Sequence, residues 1–310
     1  MNASSATQKT FRPPQRRGLR RADIALYFML LPTLAFFIIF RVIPIINMRL
    51  AFFDFKARGA WVFAGLKYVR QIFATPAFFE ILRNTLIISF MKYVLLFPFF
   101  AIFAVALFEL RSSRFRKYVQ VVSYLPHFLS WVVIAGIWMS FLSTSSGAVN
   151  EIIVRLGGQP VDFLTDKSKI RWILMICEGW RSLGWDSIIY CTTILAIPES
   201  LFESAQIDGA KRWPIILNII LPALITPMVT MFILNLGFFL NAGFDQVFNF
   251  TNNSVNSVID ILDTYIYRVG LGNGQYSLST AVSLIKGVVG VFLVLGTHLA
   301  SKKLTGKGVW

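Results

Sequence analysis

The sequence predicts an all-α integral membrane protein with six transmembrane helices. Of its 310 residues, 56% are hydrophobic and 15% are charged, whereas a soluble domain carries about 45–50% apolar and about 25% charged residues. The apolar residues form runs of roughly 20, the length that a helix rising about 1.5 Å per residue needs to cross a hydrocarbon core about 30 Å thick. Basic clusters between the runs predict how the chain is oriented.

Six apolar runs are predicted to span the membrane. The first follows a basic N-terminal segment, but it is too long for a signal peptide and no small-residue cleavage site follows it, so we expect a retained helix. The spans are approximately Ile24–Asn47, Ile81–Phe108, Tyr118–Phe141, Trp172–Ile197, Leu221–Gly243 and Tyr276–Ser301. They predict a basic tail (1–23), a transmembrane domain (24–301) with a half-polar loop at 198–221, and a C-terminal tail (302–310).

Basic residues predict which side of the membrane each segment occupies. They cluster in the N-terminal tail, in the RSSRFRK segment after the second span and in the C-terminal tail. With six spans these places and the 198–221 loop lie on one side, and an excess of Lys and Arg marks the cytoplasm. We therefore expect a multi-pass protein with both termini cytoplasmic. Orientation and contact with lipid headgroups explain the net charge of +15, so no nucleic-acid partner is expected.

The sequence contains no recognisable catalytic or metal-binding motif. It lacks a G-x-x-x-x-G-K-[ST] phosphate loop, an H-E-x-x-H pair, a G-x-S-x-G elbow and paired-cysteine metal spacing. Cys177 and Cys191 lie on one predicted helix, roughly 21 Å apart along its axis, and cannot bridge each other. We expect a non-catalytic subunit with no cofactor or metal of its own, so that energy for transport comes from another subunit or an ion gradient.

The loop between the fourth and fifth spans contains the segment ESAQIDGAKRWPIILNIILP. Ser200 and Glu203 fit a capping box that would begin a short helix, and Gly209 can end that helix with a left-handed residue. Apolar residues then recur at helical spacing, and Pro222 falls early in the next span. The pattern predicts a helix–turn–helix projection with one apolar face, which would contact either lipid or a partner protein.

This segment resembles the EAA motif of ABC importer permeases, which reads E-A-A, three residues, G, about nine residues and I-x-L-P, and the spacing is matched throughout. One departure is Ser204 in place of the middle alanine. In that family the segment is a cytoplasmic coupling helix that lies in a cleft of an ATPase subunit. The resemblance implies that role for Glu203, Ser204, Ala205, Asp208, Gly209 and Pro222.

The resemblance extends over nearly the whole chain. Stretches similar to the LplB-like permeases that import complex carbohydrates are LPTLAFFIIFRVIPIINMRLAFFDF, FAGLKYVRQIF, RNTLIIS, YLPHFLSWVVIAGIW and SGAVNEIIVRLG. Within this group the overall likeness, rather than a diagnostic motif, is to the bacterial alginate importer. The resemblance implies a type I importer permease fold in the bacterial inner membrane. It also implies a second related permease, two subunits that bind ATP and Mg, and an extracytoplasmic binding protein that supplies an oligosaccharide.

Polar and aromatic residues inside the fourth and fifth spans are candidates for a sugar path, because intramembrane polar groups are functional suspects. The maltose permease subunit, which the chain resembles, has sugar-contacting asparagines in this part of its span, and Asn241 is the nearest counterpart. Each candidate has the alternative of bonding between helices or lying at the outer headgroup level. The candidates are Trp180, Arg181, Trp185, Asp186, Tyr190, Asn235, Asn241 and Asp245.

Two cations are predicted at mid-membrane depth, Arg181 and Lys286. Each costs at least about 2.5–3.5 kcal/mol there and needs a partner or a wet cavity. Asp186 is a poor partner for Arg181, since the two lie on different helix faces. Cations facing a water-filled path would suit an acidic sugar such as a uronate oligomer. Alternatively, Arg181 pairs with a carboxylate of the partner permease, and Lys286 is ordinary in the family whatever the sugar.

An ion-coupled secondary sugar transporter is the alternative function. Such a protein would place buried acids along its path, and Glu178, Asp186 and Asp245 fit that requirement loosely. A channel would need a selectivity constriction and a membrane enzyme would need a catalytic constellation, and the sequence shows neither. An importer permease is therefore the favoured interpretation.

Overall fold

The computed structural model describes residues 21–305. The basic tail at 1–20 and residues 306–310, on which part of the orientation prediction rests, lie outside the described residues. The chain divides into two compact units between Arg49 and Leu50. The described part of the first unit contains α1 (Arg21–Phe37), a π-helical turn (Ile38–Val42) and α2 (Ile43–Asn47). A 3₁₀ turn follows at Met48–Phe52.

The second unit contains a short antiparallel hairpin and the remaining helices. Strands β1 (Phe53–Asp54) and β2 (Val62–Phe63) pair with Phe53 opposite Phe63. The helices are α3 (Lys67–Ala74), α4 (Pro76–Met91), α5 (Phe97–Phe108), α6 (Ser113–Tyr124), α7 (Trp131–Leu142), α8 (Ala148–Arg155), α9 (Ile170–Leu195), α10 (Glu199–Ile207), α11 (Arg212–Ile215), α12 (Leu221–Leu236), α13 (Phe244–Phe250), α14 (Asn256–Ile259), α15 (Leu262–Tyr267) and α16 (Tyr276–Thr305). Three π-helical turns (Lys92–Leu96, Ile216–Ile220 and Arg268–Gly272) and a 3₁₀ turn (Leu125–Phe128) interrupt this series.

The described helices agree with the prediction of a six-span membrane protein. Four described segments are long and apolar enough to cross a membrane. Two bent helix pairs bring the number to six if each pair forms one span. These four segments are Tyr27–Phe52, Pro76–Phe108, Arg212–Leu236 and Tyr276–Leu299. The bent pairs are Ser113–Phe128 with Trp131–Leu142, at 107°, and α9 with α10, at 66°.

The predicted third and fifth spans differ from the structure. The third is not one straight helix, because Leu129 and Ser130 adopt extended conformations and Ser130 then caps α7 by accepting from the Val133 N–H at 3.4 Å. The fifth was expected to remain helical to Gly243, but α12 ends at Leu236. The apolar runs therefore predicted which segments are long enough to cross a membrane, but not where their helices begin, break or end.

Helix α9 lies at the centre of the second unit, with α5, α6 and α12 packed around it. Helix α6 approaches α9 closely at Gly184, where an added Cβ would lie 2.4 Å from the Tyr124 ring and 2.5 Å from the Ser123 backbone. A side chain at this position would push α6 away from α9. Glycine at position 184 therefore allows Tyr124, at the end of α6, to pack directly against the middle of α9. The candidate site lies beside this part of α9.

Candidate functional site

A cavity of about 840 Å³ opens beside the middle of α9. Its walls come from α9, from the π-helical turn at Lys92–Leu96 and the start of α5, and from α12 with the segment that follows it. The charged, polar and aromatic residues that line it are Lys92, Tyr93, Phe97, Phe100, Trp131, Glu178, Ser182, Trp185, Asp186, Tyr190, Thr192, Asn235 and Asn241. Five predicted path residues are thus brought together: Trp185, Asp186, Tyr190, Asn235 and Asn241.

The polar wall of the cavity is a ladder on α9, formed by Glu178, Ser182, Asp186 and Tyr190. Its members are four residues apart, so they lie on one helix face with a rise of about 6 Å between them. The Ser182 hydroxyl donates to Glu178 Oε1 at 3.2 Å. Sequence reasoning missed Ser182 and assigned Glu178 no role in a sugar path, although the four-residue spacing would have revealed both.

Lys92 is the main residue that sequence reasoning missed. Its ammonium lies 2.6 Å from Glu178 Oε2, and both side chains are largely buried. The next residue, Tyr93, donates from its hydroxyl to the Asn235 carbonyl at 2.9 Å and stacks on Phe239. The π-helical turn thus joins two cavity walls, α9 and α12. A lysine inside the apolar run at 81–108 was the available signal, because an intramembrane cation needs a partner.

The third wall is irregular backbone after α12. Asn241 lies in a non-helical segment and Gly243 has a φ of +96°. Non-helical backbone at membrane depth is tolerated where it lines a cavity or is buried in protein. Asn241 was expected within a helix, since the fifth span was predicted to reach Gly243, and that expectation is wrong. Asp245 is exposed in the first turn of α13 and does not line the cavity. The Asn235 amide donates to the Met231 carbonyl of its own helix at 2.8 Å.

Arg181 and Trp180 lie outside the lining of this cavity. A guanidinium N–H of Arg181 donates to the His127 carbonyl at 3.3 Å, and the group lies 5.0 Å from the Trp131 ring centroid. The His127 ring stacks on Trp185 at 4.4 Å. Arg181 therefore binds both sides of the break between α6 and α7 and satisfies a carbonyl that the break leaves free. Trp180 packs edge-on against Trp138.

Lys286 is also paired within this chain, with its ammonium 2.5 Å from Asp263 Oδ1. It lines a second groove of about 440 Å³ beside α12 and α16, together with Gly237 and Gly290, and Asn241 lines both this groove and the large cavity. Arg181 and Lys286 therefore do not share a cavity. The charged side chains among the described residues that line the large cavity are instead Lys92, Glu178 and Asp186, and Asp186 forms no ion pair within the described part of the chain.

The half-polar loop folds as two short helices. At the end of α10, Gly209 has a φ of +76°, and the Ala210 N–H donates to the Ala205 carbonyl at 2.9 Å. This is the left-handed glycine end that the sequence predicts. The predicted capping box is wrong, because α10 already begins at Glu199 and Ser200 lies within its first turn.

The same loop is attached to the bundle on one side and exposed on the other. Phe202 contacts the Phe108 ring at 5.8 Å, and Arg212 lies 3.6 Å from Glu109, so α10 and α11 are tied to the end of α5. Ile207 and Trp213 are 86% and 72% exposed. Of the residues that the motif assigns to coupling, Glu203, Ser204, Asp208 and Gly209 are exposed, Ala205 is half-buried and Pro222 lies in the first turn of α12.

Comparisons with known proteins agree with this architecture. The family described as "Binding-protein-dependent transport system inner membrane component" matches residues 101–305. Protein LplB of Bacillus subtilis (strain 168) is 35% identical over 295 residues, which cover 94% of this chain and 92% of that protein. The polygalacturonan/rhamnogalacturonan transport system permease protein YteP of the same organism is 36% identical over 290 residues, covering 92% and 90% of the two chains.

A solved structure shares the fold along most of the chain. It is the crystal structure of a bacterial alginate ABC transporter in complex with an alginate pentasaccharide-bound periplasmic protein, and one of its chains matches with a TM-score of 0.85 and 35% identity. The match covers 93% of this chain and 98% of that one. The likeness to LplB-like permeases and to the alginate importer, predicted from the sequence, is confirmed. The chain therefore belongs to the family of binding-protein-dependent transport system inner membrane components, and it is a permease of an ABC importer of sugars or oligosaccharides.

Proposed function

We propose that this chain passes an oligosaccharide through the α9 cavity and is driven by separate ATPase subunits that bind its α10 segment. The observation that carries the proposal is the course of α9. This helix lines the cavity and, after a short bend, continues into α10, which presents exposed residues. A force applied to α10 would therefore act directly on the wall that carries Glu178 and Asp186.

The chemistry of the cavity suits a sugar. Carboxylates and amides bind hydroxyl groups, and Trp185, which is 46% exposed, offers an aromatic face. The relatives named for alginate and polygalacturonan/rhamnogalacturonan support a complex carbohydrate, and an acidic one such as alginate remains our substrate prediction. The cavity residues of this chain include one cation, Lys92, against the two carboxylates of Glu178 and Asp186, so hydroxyl contacts dominate on this side.

The proposed assembly contains this chain, a second related permease, two ATPase subunits that bind ATP and Mg, and an extracytoplasmic binding protein. The chain would lie in a bacterial inner membrane with α10 and both termini in the cytoplasm, in agreement with the basic residues near those segments. Residues 1–23 and 302–310 would be cytoplasmic tails flanking the transmembrane domain. The exposed apolar residues Ile207 and Trp213 support a protein partner at the 198–221 loop.

An ion-coupled transporter has less support. Of the three acids considered, Glu178 is already paired with Lys92, and Asp245 does not line the cavity that contains Asp186. The three carboxylates therefore do not form a continuous proton or cation path among the described residues. The α10 segment would also have no role in such a protein.

The test is uptake by the whole complex in proteoliposomes supplied with the sugar-bearing binding protein. We expect uptake to require enclosed ATP and to persist when ion gradients are dissipated. Gly209→Pro should assemble normally but lose sugar-stimulated ATP hydrolysis, because proline cannot adopt the φ of +76° and lacks the N–H that Gly209 donates to the Gln206 carbonyl at 3.0 Å. Uptake driven by an ion gradient without ATP would contradict the proposal. Normal stimulation in Gly209→Pro would remove α10 from the coupling role.

A further inference from the structure

We propose that Lys92 is a positioning residue of the sugar path. Its ammonium keeps Glu178 ionised and directed along the α9 ladder, so that Glu178 accepts hydrogen bonds from sugar hydroxyls. Lys92 itself does not bind a carboxylate of the substrate. This inference rests on the proposed function and assigns the chemical class that this wall recognises, namely the hydroxyl-bearing edge of the sugar.

The first step is the location of the pair. Lys92 and Glu178 are 16% and 18% exposed, and they lie in the interiors of two different apolar runs. An isolated carboxylate is costly at this depth, and removing one partner of a buried pair is costly as well. Lys92 therefore makes it possible for a charged acceptor to stand in the wall of the cavity.

The second step is the pocket that holds the ammonium. A Cβ built on Gly243 would lie 2.7 Å from Lys92 Nζ and 3.6 Å from Gln246 Oε1. Gln246 is completely buried, and its amide donates to the Leu174 carbonyl at 2.6 Å. Its Oε1 has no hydrogen-bond partner among the described residues. The ammonium and the buried amide oxygen thus both border the space that the missing side chain of Gly243 leaves open.

The third step is the orientation of the carboxylate. Lys92 binds Glu178 Oε2 at 2.6 Å, and the Ser182 hydroxyl donates to Oε1 at 3.2 Å. An ionised carboxylate has about four acceptor positions, so both oxygens keep capacity for donors from the cavity. Sugar hydroxyls are such donors. A substrate carboxylate is not: Asp186 adds a second carboxylate to the same wall, and Lys92, already paired with Glu178, is the one cation among the described residues that line the cavity.

The experiment compares Lys92→Met, Glu178→Gln and the double variant in the reconstituted complex with its binding protein. We measure the maximal rate of ATP-dependent uptake and the concentration of sugar-bearing binding protein that gives half of that rate. A lost hydrogen bond to a charged group predicts about a tenfold fall in maximal uptake for each single variant. The half-saturating concentration should stay constant, because docking of the binding protein does not involve the cavity.

The double variant separates positioning from a purely structural role. If Lys92 acts through Glu178, adding Lys92→Met to Glu178→Gln lowers uptake no further, and the double variant stays as slow as Glu178→Gln alone. If the pair only joins the helices, a neutral pair of similar size restores wild-type uptake. That rescue would overturn the inference. The proposed function would stand, since it is judged by ATP-dependent uptake in the wild type.

A second comparison distinguishes the substrate class. An oligouronate and its carboxyl-reduced counterpart of equal length are supplied at concentrations that saturate the binding protein. Lys92→Met should slow uptake of both sugars by the same factor, because both carry the hydroxyls that Glu178 accepts. A loss confined to the acidic sugar would make Lys92 a carboxylate receptor and would refute the positioning role.

Discussion

Two buried lysine–carboxylate pairs in this chain are almost identical in local geometry. Lys92 and Glu178 are 2.6 Å apart, and Lys286 and Asp263 are 2.5 Å apart. Both lysine side chains are 16% exposed, and the carboxylates are 18% and 23% exposed. Distance and burial alone would assign them the same role, so any difference in function must arise from their surroundings.

Their surroundings differ in what each pair joins and what it lines. Lys92 and Glu178 are 86 residues apart and connect separate walls of the polar cavity. Lys286 and Asp263 are 23 residues apart and connect neighbouring helices, α15 and α16, beside a groove lined mainly by glycine and aliphatic residues. We therefore expect a role in transport for the pair that lines the larger, more polar cavity, and a structural role for the pair between α15 and α16.

The largest effect is expected from Gly243→Ala, which would disturb the Lys92 pair through its pocket. The substitution places a methyl group 2.7 Å from Lys92 Nζ at a backbone φ of +96°. We expect maximal uptake to fall about tenfold, as for Lys92→Met, because the methyl group displaces the ammonium, and we expect the melting temperature to fall as well, because the backbone strain is about 1–3 kcal/mol. ATP-dependent uptake and the melting temperature of the purified complex measure the two contributions.

Gly274→Ala is the matched control. Gly274 also has a positive φ, +68°, but no atom lies within 4 Å of its added Cβ. It should lower the melting temperature to a similar extent while leaving uptake close to that of the wild type. If both glycine variants lose uptake equally, strain alone explains the result and the pocket around Lys92 has no special role.

An intermediate effect, on stability alone, is expected at the second pair. Lys286→Met leaves Asp263 buried without its partner and should destabilise the protein by about 3 kcal/mol. The double variant Lys286→Met with Asp263→Asn should restore most of that stability and transport at a rate within about twofold of the wild type. A loss of uptake in the stable double variant would show that the two pairs do not differ in function as their surroundings indicate.

The features that the sequence predicted correctly depend on local signals. The apolar runs have the length that a membrane requires, and the end of α10 follows from a glycine that can adopt a left-handed φ. The α9 ladder could also have been predicted, because its four-residue spacing is visible in the sequence. Two of its members, Asp186 and Tyr190, were among the predicted path residues, whereas Ser182 and a path role for Glu178 were not predicted.

The features that the sequence could not predict depend on distant contacts. Pro126 and the capping residue Ser130 are visible signals for the break in the third span. Both lie inside one apolar run, which by itself predicts an uninterrupted helix. Arg181 satisfies a carbonyl at that break from another helix, 54 residues further along the chain. The pairing of Lys92 with Glu178 also requires the fold. In both cases the sequence shows a charged residue that is costly in the membrane, but it does not show which residue is its partner.

The smallest effect is expected at a third pair, which lies outside the membrane-spanning segments. Lys67 is 2.9 Å from Asp54, with side-chain exposures of 56% and 33%, and the Tyr68 hydroxyl donates to the same carboxylate at 2.5 Å. The Tyr68 hydrogen bond, followed by that of Lys67, lowers the pKa of Asp54 below its ordinary value. Asp54 therefore stabilises the fold at neutral pH, and this contribution is lost as the pH falls from the ordinary range of the carboxyl group through the lowered pKa.

Solvent and salt screen the Lys67 pair, so Lys67→Met should leave uptake unchanged and shift the melting temperature slightly, by an amount that disappears at high salt. Tyr68→Phe should shift it more, because the half-buried hydroxyl supplies the main interaction with Asp54 and is less accessible to solvent. Melting curves of the two variants at low and high salt make this comparison. A fall in melting temperature for Lys67→Met as large as that for Lys286→Met would contradict this prediction. It would show that the exposure of an ion pair does not determine its contribution to stability.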